Sequence, residues 1–334
     1  MTAMVVAIAV AFVFNISNGF HDSANAIAAL VATRAARPAS AVILASVFHV
    51  LGPLLAGTAV ANTIGGIVNL EGETTVVVVG AGLTGALAWN LITWWRGLPS
   101  SSSHALVGGL VGVALVESGP SAVNWGGFDG WRPTGVLGVL AALAISPVIG
   151  FAVGFVLDRM FRRGLRRARR DVNPVIRRGE WGTSSALAFS HGANDAQKTI
   201  GVVTLLLVAG GELSRFEAPL WVTIASAASL TLGTSLGGWR IVKTIGRGIY
   251  RIRPLDGFTS QTTSASVILG AAAIGAPVST SHVVASSVVG IGSSQRRRHV
   301  RWSIVREMGI AWVLTLPAAA LLGAATLPIW RWLS

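Results

Sequence analysis

The sequence predicts an all-α polytopic membrane protein built from two inverted-topology repeats of about five membrane segments each, with broken or re-entrant helices. Three observations support this prediction. Of the 334 residues, 52% are hydrophobic and only 12% are charged, about half the charged fraction of a typical soluble chain. Ten apolar stretches follow one another along the chain, and two polar motifs occur once in each half. A disordered chain and an ordinary cytosolic enzyme are therefore not expected.

The apolar stretches set the number of membrane segments. A helix needs about 20 mostly apolar residues to span a bilayer, and a broken or re-entrant helix needs fewer. Five stretches fall in each half, so we expect a first repeat at residues 1–157 and a second repeat at residues 182–334. The stretches cover residues 3–33, 39–62, 73–95, 103–118, 133–157, 184–209, 218–239, 257–275, 278–295 and 303–330.

The charged loops predict the orientation of the chain. Nine arginines fall between Arg159 and Arg178, and cytoplasmic loops of membrane proteins carry an excess of basic residues. We therefore expect residues 158–181 to form a basic cytoplasmic linker. Acidic residues such as Glu71 and Glu117 occupy the intervening loops. An odd number of segments per half then gives two oppositely oriented halves of a multi-pass protein in a bacterial-type inner membrane, with the N-terminus outside.

Two polar motifs interrupt the apolar stretches, and each occurs once per half. Residues 18–27, NGFHDSANAI, align with residues 191–200, HGANDAQKTI, at an offset of 173. Residues 99–104, PSSSSH, align with residues 277–282, PVSTSH, at an offset of 178. Inverted repeats with broken helices are typical of secondary transporters, whose binding site lies near the membrane midplane. A bundle that uses these breaks only for packing is the alternative, but it leaves two aspartates unexplained.

Those aspartates, Asp22 and Asp195, occupy equivalent positions in the first motif. An ionised side chain at membrane depth is costly unless it is paired or lies in a wet cavity, so a functional role is expected. On a helix, residues three apart share a face, so Asn25 can accompany Asp22 and Lys198 can accompany Asp195. Lys198 is interpreted either as a structural partner of Asp195 or as a charge-balancing group of the site. The predicted site residues of this motif are Asp22, Asn25, Asn194, Asp195, Gln197 and Lys198.

The second motif supplies hydroxyl groups. Each run follows a proline and precedes an apolar stretch, which places its hydroxyls and free N–H groups at a helix N-terminus. Such a terminus binds anions, although a lone serine there is often only a cap. Two carboxylates would repel an anion unless the anion carries its own proton or a cation lies between them. Phosphate, whose P–OH can donate to an aspartate, is therefore favoured over sulfate. The predicted binding residues of this motif are Ser101, Ser102, Ser103, Ser279, Thr280 and Ser281.

Four of the six histidines accompany the motifs: His21, His104, His191 and His282. We interpret them as hydrogen-bonded neighbours of the binding residues or as a proton relay. Metal-ligand spacing such as His-Glu-x-x-His is absent from the sequence, so no metal site is predicted. His49, alone in an apolar stretch, is interpreted as a core histidine.

Several other functions are not expected from the sequence. An intramembrane hydrolase is not supported, because Ser103 and His104 are adjacent and no acid is placed in sequence to orient the histidine. The protein is therefore predicted not to be an enzyme. The sequence has no P-loop, which excludes ATP drive within this chain. An anion channel would not need two buried carboxylates. The net charge of +13 belongs to loop clusters, so no nucleic-acid partner is expected.

The segments 19–26 and 192–198, each followed by a Pro-x-Ser-Ser/Thr-Ser-His element, resemble the duplicated signatures of the PiT inorganic phosphate transporter family. The resemblance covers nearly the whole chain. It implies a secondary symporter with one phosphate site shared by two inverted repeats, embedded in the lipid bilayer as a homodimer. Sodium-coupled members typically carry Asn-Asp in both signatures and Asn at the position of Lys198. His21 and Lys198 make this chain similar to the bacterial, proton-coupled branch, in which phosphate can travel as a divalent-metal complex.

From this resemblance we expect import of inorganic phosphate driven by a proton gradient, without a bound cofactor. Two alternatives stay open at this point. The same fold can carry sulfate or another oxyanion, and sodium can replace the proton as coupling ion.

Overall fold

The computed structural model describes residues 1–130, 132–168 and 172–334 of the chain. Most of these residues are helical, and each predicted apolar stretch coincides with a helix or with a pair of helices. The helices are α1 (Thr2–Ala32), α2 (Pro38–Leu55), α3 (Ala59–Gly65), α4 (Gly72–Arg96), α5 (Ser102–Ser118), α6 (Gly135–Gly164), α7 (Val172–Ala209), α8 (Leu220–Leu236), α9 (Trp239–Lys243), α10 (Pro254–Ala273), α11 (Thr280–Gln295) and α12 (Trp302–Leu333).

Short segments connect the helices. They are 3₁₀ turns at Pro120–Ala122, Leu165–Arg167 and Arg297–His299, a π-helical segment at Thr244–Gly248, and the two-residue antiparallel strands β1 (Phe128–Asp129) and β2 (Arg132–Pro133).

Helix length and hydropathy confirm an all-α polytopic membrane protein. Among the described residues, α1, α2, α4, α6 and α12 are long and apolar enough to cross a membrane, and α8 with α9 forms a sixth candidate that is bent by 61°. Helices α5 and α11 have only 17 and 16 residues. They are too short to span a bilayer alone, as expected for broken or re-entrant segments.

Two segments differ in detail from the sequence prediction. The stretch 39–62 is broken between α2 and α3, where Gly57 has a φ of +77° that few other residues adopt. The segment 158–181 consists mainly of helix ends, because α6 runs to Gly164 and α7 begins at Val172. Residues 169–171 of this segment lie outside the described residues. Both predicted boundaries of the linker therefore fall within helices.

The two halves pack into each other rather than side by side. Helix α1 packs against α8, while α2 packs against α7. In the same way α5 packs against α12, while α6 packs against α11. By the motif offsets, α7, α8, α11 and α12 are the second-half counterparts of α1, α2, α5 and α6. Each helix of these pairs thus contacts the counterpart of its neighbour in sequence, and the two halves share one interior.

Motif glycines allow the central helices to approach closely. A Cβ on Gly192 of α7 would lie 2.7 Å from the carbonyl oxygen of His49 in α2. A Cβ on Gly19, its counterpart in α1, would overlap the backbone of Leu230 in α8. Only glycine fits such a backbone contact. The glycine of each signature therefore sets the helix separation three residues before the aspartate of its repeat.

A polar layer separates two apolar clusters along α1 and α7. One cluster takes in residues within 3–14 of α1 and 200–207 of α7. The other takes in residues within 24–30 of α1 and 187–188 of α7. The polar residues of both first motifs lie between the clusters, about midway along the two helices. The fold therefore holds these groups in the protein interior, away from either helix end.

Candidate functional site

Four helices bring the two motif pairs together. Asp22 and Asp195 lie in the middle of α1 and α7, and the hydroxyl runs begin α5 and α11. Carboxylate oxygens of Asp22 and Asp195 belong to a group of ligand atoms that all lie within 4.8 Å of one another. Asp22 is 1% exposed and Asp195 is 0% exposed. The two aspartates therefore form one enclosed polar centre, and the described conformation is closed to solvent there.

Hydroxyl groups from both halves donate to Asp22. Ser102 Oγ lies 3.0 Å from Oδ2, and Ser281 Oγ lies 2.5 Å from Oδ1. The amide of Asn25 donates to Ser281 Oγ at 2.9 Å. This bond orients the Ser281 hydroxyl that donates to Asp22. His21 Nδ1 lies 3.1 Å from Oδ1 of the same carboxylate. Asp22 is thus held by donors but has no cation of fixed charge among these contacts.

Asp195 is held by a lysine instead. Lys198 Nζ donates to Oδ1 of Asp195, and Thr280 Oγ1 donates to Oδ2 at 2.9 Å. His191 Nε2 lies 2.7 Å from Oδ2. One carboxylate of the centre therefore carries a paired charge, while the other, Asp22, does not.

All three ammonium protons of Lys198 are directed at oxygen atoms. Besides Asp195, the ammonium donates to Ser103 Oγ at 2.6 Å and to the carbonyl oxygen of Val278 at 3.0 Å. An ammonium group has three donors and no acceptor, so these contacts satisfy it completely. The side chain is 2% exposed. The ammonium of Lys198 is surrounded by carboxylate, hydroxyl and carbonyl oxygens.

The contacts cross between the halves in matching pairs. Lys198 of the second half donates to Ser103 of the first, and Asn25 of the first half donates to Ser281 of the second. Lys198 and Asn25 are equivalent under the first offset, and Ser103 and Ser281 under the second. The repeats therefore build one site with equivalent geometry and unequal charge.

The first hydroxyl of each run is a helix cap. Ser101 Oγ accepts from the backbone N–H of His104 at 3.1 Å, and Ser279 Oγ accepts from that of His282 at 3.3 Å. The caps leave the preceding N–H groups, at the first positions of α5 and α11, without an intrahelical acceptor. Two helix N-termini with positive partial charge thus begin at the same centre.

Two predicted site residues have other contacts. Gln197 Oε1 accepts from the backbone N–H of Val60 at 2.8 Å, and its amide donates to Ala193 O at 2.6 Å. It anchors the start of α3. Asn194 donates to Ala276 O at 3.2 Å and accepts from Val278 N at 3.4 Å. Asn194 therefore braces the turn before α11, whose hydroxyls reach the aspartates.

The four motif histidines surround the centre, and a fifth joins them. His191 Nδ1 lies 2.8 Å from Nε2 of His49, and His49 Nδ1 lies 2.8 Å from Thr234 Oγ1. His49 is buried and satisfied, as expected for a core histidine, but its second nitrogen connects it through His191 to Asp195. The sequence offered no signal for this link, because a lone histidine in an apolar stretch has no motif.

The other histidines lie nearer the hydroxyl runs. His21 Nε2 lies 3.3 Å from Ser100 Oγ. His104 accompanies its cap, with Nδ1 2.7 Å from Ser101 Oγ, and its ring centroid lies 4.7 Å from that of His282. His282 stacks on Trp312 at 3.9 Å. His104 and His282 thus lie in the first turns of α5 and α11.

Comparison with known proteins identifies the family. The model of the family described as "Phosphate transporter family" matches residues 18–173 and again residues 163–323. The chain belongs to the phosphate transporter family. A relative from Bacillus subtilis (strain 168), described as a "Probable low-affinity inorganic phosphate transporter", is 41% identical over 97% of this chain and 95% of its own length. The two matches confirm both the resemblance to the PiT family and the two repeats.

More distant proteins share the architecture. A "Putative phosphate permease" from Pyrococcus abyssi is 28% identical over 92% of either chain. A solved structure, "The sodium-dependent phosphate transporter", has a TM-score of 0.88 and 24% identity, and the match covers 99% of this chain and all of the solved chain. These findings support a multi-pass membrane transporter rather than an enzyme, and phosphate is the substrate of the family.

A metal site is also conceivable in the transporter, because one ligand atom from each of Asp22, His191 and Asp195 lies within 4.8 Å of the others. Lys198 already meets Asp195, and an ammonium repels a divalent cation at this distance. The fixed ammonium of Lys198 therefore disfavours a resident divalent metal ion at these three side chains.

Replacing Ser102 with Ala removes one hydroxyl donor of the transporter without changing a charge. A hydrogen bond to a charged group contributes about 1.5 to 3 kcal/mol. We expect the phosphate concentration for half-maximal uptake to rise about 10- to 100-fold, with a smaller change in maximal rate. Initial uptake rates of labelled phosphate over a concentration series measure both parameters. Ser235→Ala, which removes an exposed hydroxyl bonded to Leu232 O in α8, is the control, and an equal effect in both variants would contradict a binding role.

Proposed function

We propose that this chain imports inorganic phosphate by symport with protons, with or without a divalent cation accompanying the phosphate as cargo. The observation that carries the proposal is the fully satisfied ammonium of Lys198 beside Asp195. The proposal includes an N-terminus outside the membrane, from the basic loops, and a homodimer, from the family resemblance. Each part is open to a separate measurement.

The donors and acceptors of the site match phosphate. The N-termini of α5 and α11 supply backbone N–H groups, and Ser102, Ser281 and Thr280 supply hydroxyls that in the closed conformation donate to aspartates. A bound anion can receive these donors. Near neutral pH phosphate keeps a P–OH that can donate to Asp22, whereas sulfate has no proton to give. Phosphate therefore uses both the donors and the carboxylate, and sulfate would face an unpaired Asp22.

The position of Lys198 supports the proton as the coupling ion. Carboxylate, hydroxyl and carbonyl oxygens are the ligands that a hard cation prefers, and here a tethered ammonium takes those of Asp195, Ser103 and Val278. A mobile sodium ion at this position would have to displace Lys198. The related solved structure is described as sodium-dependent, so sodium coupling is the alternative that the experiment must exclude.

A chain of buried side chains supplies the inner part of a route for the coupling proton. Thr234, His49 and His191 follow one another at hydrogen-bond distances of 2.8 Å and end 2.7 Å from Asp195. A neutral imidazole donates from one nitrogen and accepts at the other, so each ring can pass a proton along the chain by exchanging its tautomer. The sequence of groups connects α8, α2 and α7, and its outer member, Thr234, is buried and donates to the carbonyl oxygen of Leu230.

The test is uptake of labelled phosphate into proteoliposomes with proton and sodium gradients imposed separately. We expect accumulation with a proton gradient in sodium-free buffer, abolition by a protonophore, and weak competition by sulfate. Liposomes without protein are the control, and a chelator arm shows whether a divalent cation must accompany phosphate. Accumulation only with sodium would contradict proton coupling while leaving phosphate transport intact, and preferential uptake of sulfate would contradict the substrate.

A further inference from the structure

An apolar groove lies on the outer surface of α6, away from the phosphate site. It encloses about 760 Å³ and is lined by Phe151, Ala152, Phe155 and Val156 of α6, with Arg297 and Trp302 at the other wall. Phe151 is 37% exposed, Val156 52% and Trp302 49%. In a chain that spans the membrane, such exposed side chains face lipid. The groove is therefore open to the bilayer.

The groove arises from unequal helix lengths. Helices α6 and α11 cross with their backbones in contact, because a Cβ on Gly154 would lie 2.8 Å from the carbonyl oxygen of Ser287. Helix α11 ends at Gln295, whereas α6 continues to Gly164. Beyond the end of α11 the chain turns through a 3₁₀ turn into α12, and one side of α6 stays uncovered. A recess bounded by three elements is left at that end.

One end of the groove is cationic. Arg297 forms part of the wall, and the guanidinium carbon of Arg159 lies 4.5 Å above the ring of Phe155. The nearby carboxylates of Asp158 and Asp256 contact Arg162 rather than these two arginines. Ser293, also in the wall, has a buried hydroxyl without a hydrogen-bond partner among the described residues. The groove thus combines apolar walls with positive charge and a free hydroxyl.

We propose that this groove binds one anionic phospholipid, with an acyl chain along Phe151 and Val156 and the headgroup phosphate between Arg159 and Arg297. Basic pockets between helices on the cytoplasmic side are where anionic headgroups bind, and a tryptophan such as Trp302 is typical of the membrane interface. A zwitterionic lipid has the same chains but no net charge, so the arginines select the anionic class. Because α11 begins with Thr280 at the phosphate site and ends at the groove, the lipid holds the far end of a site helix.

The experiment measures lipid retention by the purified full-length chain with native mass spectrometry, using phosphatidylglycerol and phosphatidylcholine as probes. We expect one retained phosphatidylglycerol and a clear preference over phosphatidylcholine. Removing each arginine should weaken binding about fivefold, so Arg159→Gln with Arg297→Gln should weaken it about 25-fold. Arg37→Gln with Arg96→Gln, which removes the same charge away from the groove, is the matched control.

A second variant tests the shape of the groove without changing its charge. Ala152→Trp should fill the recess and displace phosphatidylglycerol while the arginines remain. Equal retention of the two lipids by the unmodified chain, or equal loss in the groove and control variants, would overturn the proposal. If the groove variants instead dissociate a dimer that retains no lipid, a second copy of the chain occupies the groove and the proposal is also wrong. None of these readouts depends on phosphate transport.

Discussion

Asp22→Asn should reduce phosphate transport about 10- to 100-fold while the chain still folds and inserts. The carboxylate of Asp22 accepts from Ser102 and Ser281 and lies beside His21. The amide keeps the shape of the side chain but loses its charge and its capacity to accept from both hydroxyls. A phosphate P–OH therefore loses its charged acceptor, a hydrogen bond that contributes about 1.5 to 3 kcal/mol, which corresponds to about a 10- to 100-fold change. The Lys198–Asp195 pair is untouched, so no buried charge loses its partner.

Uptake into proteoliposomes measures the loss, and size-exclusion elution with thermal unfolding shows whether the variant is folded. Glu217→Gln is the control, because Glu217 pairs with Arg215 on the exposed surface and its loss should leave uptake unchanged. Wild-type transport by the Asp22→Asn variant would show that this carboxylate is structural.

The aspartates of the site could be predicted from sequence because a charge inside an apolar stretch is costly and therefore conspicuous. The hydroxyl runs could be predicted because a proline followed by serines begins a helix. Both arguments are local, and the internal repeat supplied the pairing between halves. The overall fold class could be predicted as well, because composition and the number of apolar segments are also read directly from the sequence.

Other features of the site depend on contacts between helices that are distant in sequence, and the sequence did not predict these contacts. Gln197 lies two residues after Asp195, and residues two apart on a helix do not share a face, so its side chain points toward α3 instead. His49 reaches His191 across 142 positions of sequence, and no local pattern reports such a contact. The crossed bonds of Ser103 and Ser281 follow from the packing of α5 and α11 between the halves, which the sequence offsets alone do not specify.

Lys198→Asn should reduce proton-driven phosphate accumulation at least tenfold and make the remaining uptake depend on sodium. The substitution gives the second half the residue that Asn25 provides in the first, and it removes a tethered cation from Asp195, Ser103 and Val278. The oxygens that are released are suitable ligands for a mobile cation. Because a cation that moves with phosphate carries charge across the membrane, each added charge changes the driving force by about 2.3 kcal/mol per 100 mV.

The measurement is labelled phosphate uptake with a proton gradient, first in sodium-free buffer and then with sodium added. Removing one partner of a buried ion pair costs about 3 to 5 kcal/mol of stability, so the thermal unfolding of each variant is measured beside its uptake. The double variant Asp195→Asn with Lys198→Met leaves no unpaired charge. Lys243→Asn, which removes the only other lysine of the sequence at an exposed position, is the control. If the unmodified chain accumulates no phosphate without sodium and recovers when sodium is added, proton coupling is wrong. Lys198 is then a structural partner of Asp195, and the oxygens around its ammonium have no part in selecting the coupling ion.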